Sequence, residues 1–257
     1  MNAFNPELPD VVTREEWLAE RKKLLKKEKK ITRQKDQLNA ERRQLPMVKI
    51  GKKYEFEGPD GRMRLLDLFE GRMQLIIYHF MFDPAWEQGC PSCSAWGDHI
   101  SRGHLHHLHT RSTSLALVSR APFRKIQLFK NRMGWTMPWY SSNENDFNYD
   151  FHVTQNESIA PVMYNYRDQA TLEHLGQHYH TSGEQPGLSC FLRKDNIIYH
   201  TYSTYGRGVE AVGGANNFLD MTALGRQEEW EEPKGRATGL GVQAGSDKIL
   251  YPDKYEQ

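Results

Sequence analysis

The chain of 257 residues carries only three cysteines. That is too few to staple an extracellular scaffold with disulfides, so its core must come from burial. It has no apolar run near the roughly 20 residues that a membrane-spanning helix needs. Its opening residues, Met1-Asn2-Ala3-Phe4-Asn5-Pro6, lack both the basic and the apolar region of a secretion signal. Excess charge of one sign is missing too: 34 basic residues meet 33 acidic ones, so no overall field steers the protein to nucleic acid or to an anionic membrane. No Gly-x-Gly-x-x-Gly follows an early strand, which removes the phosphate-binding loop of flavin and nicotinamide enzymes. These absences lead us to expect a cytoplasmic protein with neither a nucleic-acid nor a membrane partner.

What is present begins with a helix. Thr13-Arg14-Glu15-Glu16 has the form of a capping box, and no Pro or Gly follows until Pro46, which predicts one long helix over 14–44. Trp17, Leu24, Ile31, Leu38 and Leu45 recur at every seventh position. This narrow apolar seam suits a helix lying along the body or along a second copy, as in a homodimer. The basic residues of this stretch alternate with Glu20, Glu28, Asp36 and Glu41, the pattern of solvated helix faces rather than of a nucleic-acid arm.

From residue 52 the rhythm becomes that of a compact α/β unit. Tyr54-Glu55-Phe56 reads as a short strand and Gly58-Pro59-Asp60-Gly61 as a turn. The nearly unbroken apolar run Met73 to Phe80 is that of a strand buried on both faces. A helix is expected from Pro91 to about His109, a buried strand over Ser114–Val118, and a second helix from about Pro122 to Met133. Leu188–Arg193 and Ile197–Tyr202 flank the polar turn Lys194-Asp195-Asn196 as in an antiparallel hairpin, with a helix expected from about Val209 to Met221. Strand, helix, strand, helix, hairpin, helix is the thioredoxin-like order: a central mixed sheet flanked by helices. The expected organisation is a helical extension over 1–50, a thioredoxin-like domain over 51–224, and a C-terminal extension over 225–257.

The chemistry centres on Gly89-Cys90-Pro91-Ser92-Cys93. A strand that runs into Cys-x-x-Cys at a helix start sets exposed N–H groups and the positive end of the helix against the first sulfur, which stabilises a thiolate. Cys90 is therefore the expected nucleophile. Cys93, one turn on, is placed to attack a mixed disulfide and release reduced substrate. The same pair could instead form half of a zinc site, which needs two more ligands, and Cys190 stands alone. Cys190 lies in an expected core strand and reads as a small buried hydrophobe.

The segment from Tyr78 through His79-Phe80-Met81-Phe82 to Trp86-Glu87-Gln88-Gly89-Cys90-Pro91-Ser92-Cys93-Ser94 resembles domain-of-unknown-function family 899, predicted dithiol-disulfide oxidoreductases with a thioredoxin-like fold. The resemblance continues through Val118-Ser119-Arg120-Ala121-Pro122, Met133-Gly134-Trp135, Asp146 to Asp150, Pro186-Gly187-Leu188-Ser189 and His200 to Tyr205. It implies thiol-disulfide exchange on a small-molecule or protein substrate, with no cofactor required. The approach to Cys90 is also similar to that of peroxiredoxins. Those enzymes, however, set Pro seven and Thr three residues before their reactive Cys, where this chain has Asp83 and Glu87. Rapid peroxidase chemistry is therefore not expected.

Histidine density departs from the family pattern: His99, His104, His106 and His109 surround His107, the one that best matches the family's His-Leu pair. Imidazole with thiolate suits copper or zinc. This supports an alternative, a metal-dependent redox enzyme or copper-handling protein built on Cys90 and Cys93 with one of His79, His107 or His200. A third reading is a redox-sensing module whose basic helix recruits a partner. For substrate binding, Trp86 belongs to an aromatic set around the cysteine loop that would wall an apolar pocket or simply fill core. Arg120, after a buried strand, would hold an acidic group or pair with Asp146 or Asp150. Pro186, before a predicted strand, stands where thioredoxin-like folds carry a cis-proline, with Pro138 as the competing candidate.

Overall fold

The computed structural model describes residues 8–239 and 250–254. Positions 1–7, 240–249 and 255–257, parts of the two expected extensions, lie outside the described residues. Helix α1 spans Arg14–Arg42, and its capping box forms as expected. Glu16 N–H donates to Thr13 Oγ1 at 3.3 Å while Thr13 N–H donates to Glu16 Oε2 at 2.9 Å. No residue of α1 is buried: the seam residues Leu24 and Leu38 are 51% and 53% exposed. At its C-terminal end the Arg42 guanidinium lies over the Tyr202 ring, 4.7 Å from the centroid.

The first strands are β1 (Val48–Lys49), β2 (Glu55–Gly58), β3 (Gly61–Arg64) and β4 (Gln74–His79). Then come α2 (Pro91–Gly97), α3 (Arg102–His109), β5 (Thr113–Ser119), α4 (Phe123–Met133), β6 (Trp139–Ser141) and α5 (Phe147–Asp150). The short pieces β7 (Thr154–Gln155), β8 (Met163–Tyr164), β9 (Arg167–Asp168), α6 (Gln169–His174) and β10 (Gly183–Glu184) precede the hairpin β11 (Gly187–Lys194) and β12 (Ile197–Tyr205), and α7 (Ala215–Leu219) follows.

Eight strands form the main sheet, in the order β1-β12-β11-β4-β5-β6-β2-β3. β4 and β5 are parallel, and β11 runs antiparallel to both β4 and β12. The inner order β12-β11-β4-β5, with helices crossing from β4 to β5 and a hairpin returning beside β4, is the thioredoxin-like fold. The apolar runs read as doubly buried strands occupy the centre, and their alternate residues feed two cores. Leu75, Ile77, Ala116 and Val118 join Phe147, Phe151 and Phe191 on one face. Tyr78, Leu115 and Leu117 join Cys93, Trp96 and Trp139 on the other.

Three expectations need correction. The helix expected over 91–109 is two helices. Trp135 packs against Gly97, and its Nε1 donates to Asp98 at 2.9 Å, holding the chain where α2 ends. Ser101 then opens α3 by accepting from His104 N–H at 3.1 Å. The helix expected over 209–221 is a 3-10 turn at Gly206–Val212 followed by α7, with Gly213-Gly214 between them and Gly214 at φ 103°. The strand expected at 54–56 is shifted to 55–58 and pairs with β3 as a hairpin at the far edge of the sheet.

Candidate functional site

β4 carries the chain to the site and the end of β5 holds it there. Phe80 N–H donates to Val118 O at 3.0 Å, and Ala121 N–H donates to Phe82 O at 2.7 Å. Beyond this point Asp83 to Gln88 loop outward under the grip of Lys125 on α4. Its Nζ donates to the carbonyls of Pro84 (3.1 Å) and Trp86 (3.0 Å) and reaches Glu87 Oε1 at 3.0 Å. The loop closes where Cys90 N–H donates to Met81 O at 2.9 Å. Gly89 makes this closure sterically feasible, since a Cβ there would fall 2.5 Å from Phe80 Cε1.

Cys90 is the N-cap of α2 and Pro91 stands in the first turn, where its missing N–H leaves no bond unmade. The first-turn N–H groups of Ser92 and Cys93 point at Cys90 Sγ. Cys90 is half-buried and Cys93 is buried, and neither is in a disulfide. The hydrogen bond from the Cys93 thiol, helped by those N–H groups, brings the Cys90 thiol down to about 7. Burial, together with the neighbouring Cys90, pushes Cys93 well above the ordinary thiol range. The two sulfurs thus divide their roles: Cys90 carries the anion near neutral pH and Cys93 keeps its proton. α2 is only seven residues long, so the directed N–H groups and the second sulfur do this rather than an extended helix dipole.

Tyrosines surround the pair. Tyr78 packs with Cys93 in one buried cluster, and its hydroxyl and the Met81 backbone N–H both favour an anion on that sulfur. The anion on Cys90 acts on Tyr179 and Tyr251, and an anion on Cys93 would act on Tyr164 and Tyr179. Tyr251 donates its hydroxyl to the Gly89 carbonyl. The ring packs edge-on to Phe129 at 5.6 Å.

Of the expected substrate contacts, Trp86 lies on the outward loop and is 38% exposed. Arg120 is engaged by protein groups, though not by Asp146 or Asp150, which hold Lys52 instead at 2.8 and 2.7 Å. Its Nε stands 3.1 Å from Glu184 Oε1, its Nη2 stands 3.5 Å from Asp83 Oδ2, and it also meets the Tyr149 hydroxyl. The buried Glu184 carboxyl is raised to about 7 by desolvation, which outweighs the opposing pull of Arg120. The Arg120 Nε and Glu184 Oε1 pair lies outside hydrogen-bond geometry although it is close enough for an ion pair. Pro186 immediately precedes β11, and its carbonyl accepts from the Tyr164 hydroxyl at 2.7 Å. Among the described residues the cis peptide is Glu232–Pro233, so the bonds before Pro186 and Pro138 are both trans.

The histidines do not gather at the sulfurs. His79 packs on Phe147 and Phe151, and His200 packs on Phe151 and Phe191, all in the core across the sheet from Cys93. His107 is exposed on α3, and His99 lies in the break before it. Among the described residues no group of three or more His, Cys, Asp or Glu side chains is arranged to hold a metal ion, so the set of Cys90, Cys93 and one histidine is not assembled. Among the described residues no helix is long and apolar enough to cross a membrane. Cys190 sits mid-strand in β11 with its thiol pushed up to about 11 by burial.

Sequence reasoning missed Tyr78, Tyr251 and Glu184. Strand parity was the available signal for Tyr78, which lies an even step from Phe80 and so faces the layer that contains the cysteine helix. Glu184 and Tyr251 carried no local signal.

Residues 6–248 match the model of a family described as bacterial protein of unknown function (DUF899). No curated protein matches the chain. A cysteine mutant of PrxQ from Xylella fastidiosa aligns with 62% of this chain and 84% of its own, at 15% identity and a TM-score of 0.40. The bacterioferritin comigratory protein of Xanthomonas campestris, described for alkyl peroxide reduction, aligns with 62% of this chain and 87% of its own, at 14% identity and a TM-score of 0.39. A yeast mitochondrial 1-Cys peroxiredoxin aligns with 65% of this chain and 73% of its own, at 14% identity and a TM-score of 0.37.

Proposed function

This chain belongs to the DUF899 family of bacterial proteins, and from that premise we propose that it is a cytoplasmic thiol-disulfide oxidoreductase working through Cys90 and Cys93. The observation that carries the reading is the division between the sulfurs, with Cys90 half-buried and lowered to about 7 while buried Cys93 is held protonated beside it.

The Cys90 thiolate attacks one sulfur of a substrate disulfide, and the other leaves as a thiolate that takes up a proton. Cys93 then loses its proton and attacks Cys90 Sγ, expelling the second substrate thiol. Two electrons pass to the substrate and the pair becomes a disulfide, which an external thiol must reduce to complete the cycle. Thiols supply every electron in this scheme, and no metal or organic cofactor enters it. The exposed Trp86 offers a substrate an apolar surface on the loop leading to Cys90. Arg120, already engaged by Asp83 and Glu184, serves to hold that loop rather than to bind an anion. The uncovered seam of α1 supports pairing of two copies along that helix.

The test is adduct trapping with glutathione disulfide. Cys93→Ser should accumulate a glutathionylated chain by mass spectrometry and Cys90→Ser should not. A Cys93→Ser protein that forms no adduct refutes the reading.

A further inference from the structure

Resolution of a mixed disulfide is the harder half of the exchange for this site, because the sulfur that must become an anion is the buried one. Cys93 is 2% exposed, so water cannot solvate its thiolate, and an unsatisfied buried charge is costly. Among the described residues, Tyr78 packs with Cys93 in one buried cluster, and its hydroxyl, with the backbone N–H of Met81, favours a thiolate there.

Tyr78 is firmly held. It lies in β4 between Leu117 of β5 and Leu188 of β11. Its ring stacks on Trp96 of α2, with centroids 3.9 Å apart and planes 14° apart, and meets Phe80 edge-on at 6.3 Å. The stack joins the strand to the helix that bears Cys93 and fixes the ring against that helix. Among the described residues, Cys90, Cys93 and Tyr164 are titratable groups that act on Tyr78.

We propose that Tyr78 is the positioning residue for the resolving step, its hydroxyl donating a hydrogen bond to Cys93 Sγ as that sulfur becomes a thiolate and attacks Cys90. The inference rests on the dithiol reading above. In this step the Cys93 S–H bond breaks, the Cys93–Cys90 bond forms, and the bond from Cys90 to the substrate sulfur breaks with its electron pair leaving on the substrate. The proton from Cys93 passes to that departing thiolate. Tyr78 remains a neutral phenol throughout, since burial and the neighbouring sulfurs raise it well above the ordinary phenol range. It cannot act as the base and serves only as a donor.

The experiment is stopped-flow reduction of dithionitrobenzoate, which reports each released thiolate by colour. The unaltered protein should release two thiolates in two phases, the second absent in Cys93→Ser. Tyr78→Phe keeps the ring and its stack but removes the donor. It should leave the first phase unchanged, slow the second about tenfold, and move the pH inflection of the second phase upward, as expected for loss of a hydrogen bond to a charged group. A second phase with unaltered rate and inflection overturns the inference while the dithiol reading stands. A single thiolate from the unaltered protein overturns both. If Tyr78→Phe does not fold, 3,5-difluorotyrosine at position 78 strengthens the donor with little change in shape. It should speed the second phase and lower its inflection, and an unmoved phase overturns the proposal.

Discussion

His79 Nε2 lies 2.8 Å from Ser189 Oγ, and this contact begins a polar chain through three adjacent strands. Ser189 Oγ is 2.8 Å from Ser203 Oγ, which is 2.7 Å from His200 Nε2. The chain accounts for two of the histidines as internal members of the sheet. His79 Nδ1 is buried without a partner, so a protonated ring has nowhere to donate, and burial pushes His79 down to about 3.

That depression makes His79 an acid-sensitive point. Between about 3 and its ordinary value the unfolded chain binds the proton that the folded chain refuses, so stability rises with pH across this window and is lost as pH falls through it. His79→Phe, which keeps an aromatic ring against Phe147 and Phe151, should remove up to about 1.4 kcal/mol per pH unit of this dependence. Urea unfolding at pH 4, 5 and 6 checks it, and parallel curves for the two proteins contradict it.

Glu184 works in the opposite sense. Its carboxyl is raised to about 7, so the folded state binds more protons than the unfolded one between the ordinary carboxylate range and 7, and stability declines as pH rises through that interval. Glu184→Gln should gain on the unaltered protein by about 3 kcal/mol from pH 4.5 to pH 8. Equal free-energy differences at both ends of that range would show that Arg120 already compensates the buried charge.

The pH profile of Cys90 alkylation by iodoacetamide should bend near 7, the value to which its neighbours bring it. Cys93→Ala, which removes the largest of those influences, should shift the bend upward, and Cys93→Ser, with a hydroxyl in place of the thiol, should shift it less. An identical bend in all three proteins would assign the effect to the Ser92 and Cys93 N–H groups alone.

Pairing along α1 predicts a sedimentation-equilibrium mass of two chains that falls to one when Leu24 and Leu38 are both replaced by lysine. A single-chain mass before substitution rejects the dimer.

The features legible in the sequence were those set by neighbours along the chain. Thr13 and Glu16 announce the start of α1 three residues apart. The runs ending at His79 and Ser119 identify the central strands because burial on both faces excludes polar alternation. Cys90 and Cys93 mark their own helix start. The features that stayed hidden depend on register between distant segments. Trp135 ends α2 across a gap of 38 residues from Gly97, and Arg120 meets Glu184 only after β10 has been folded back beside the loop. His79 was expected as a candidate metal ligand, and the side of the sheet that it faces makes it a core residue instead. Strand parity gives that side: His79 lies an odd step from Tyr78 and Phe80 and so faces away from the layer that contains the cysteine helix.

The hydroxyl of Tyr251 on the Gly89 carbonyl has a practical consequence. Residue 251 contacts the peptide unit directly preceding the reactive sulfur, 161 positions earlier in the sequence. Arg132, over the Tyr251 ring and paired with Asp253 at 2.8 Å, fastens that tail to α4. A shortened protein ending before Tyr251, or one carrying a bulky tag packed against this tail, would present Cys90 with a different neighbour. Reactivity measured on such a preparation would describe the shortened protein, so assays of this thiol belong on a chain with its last turn intact.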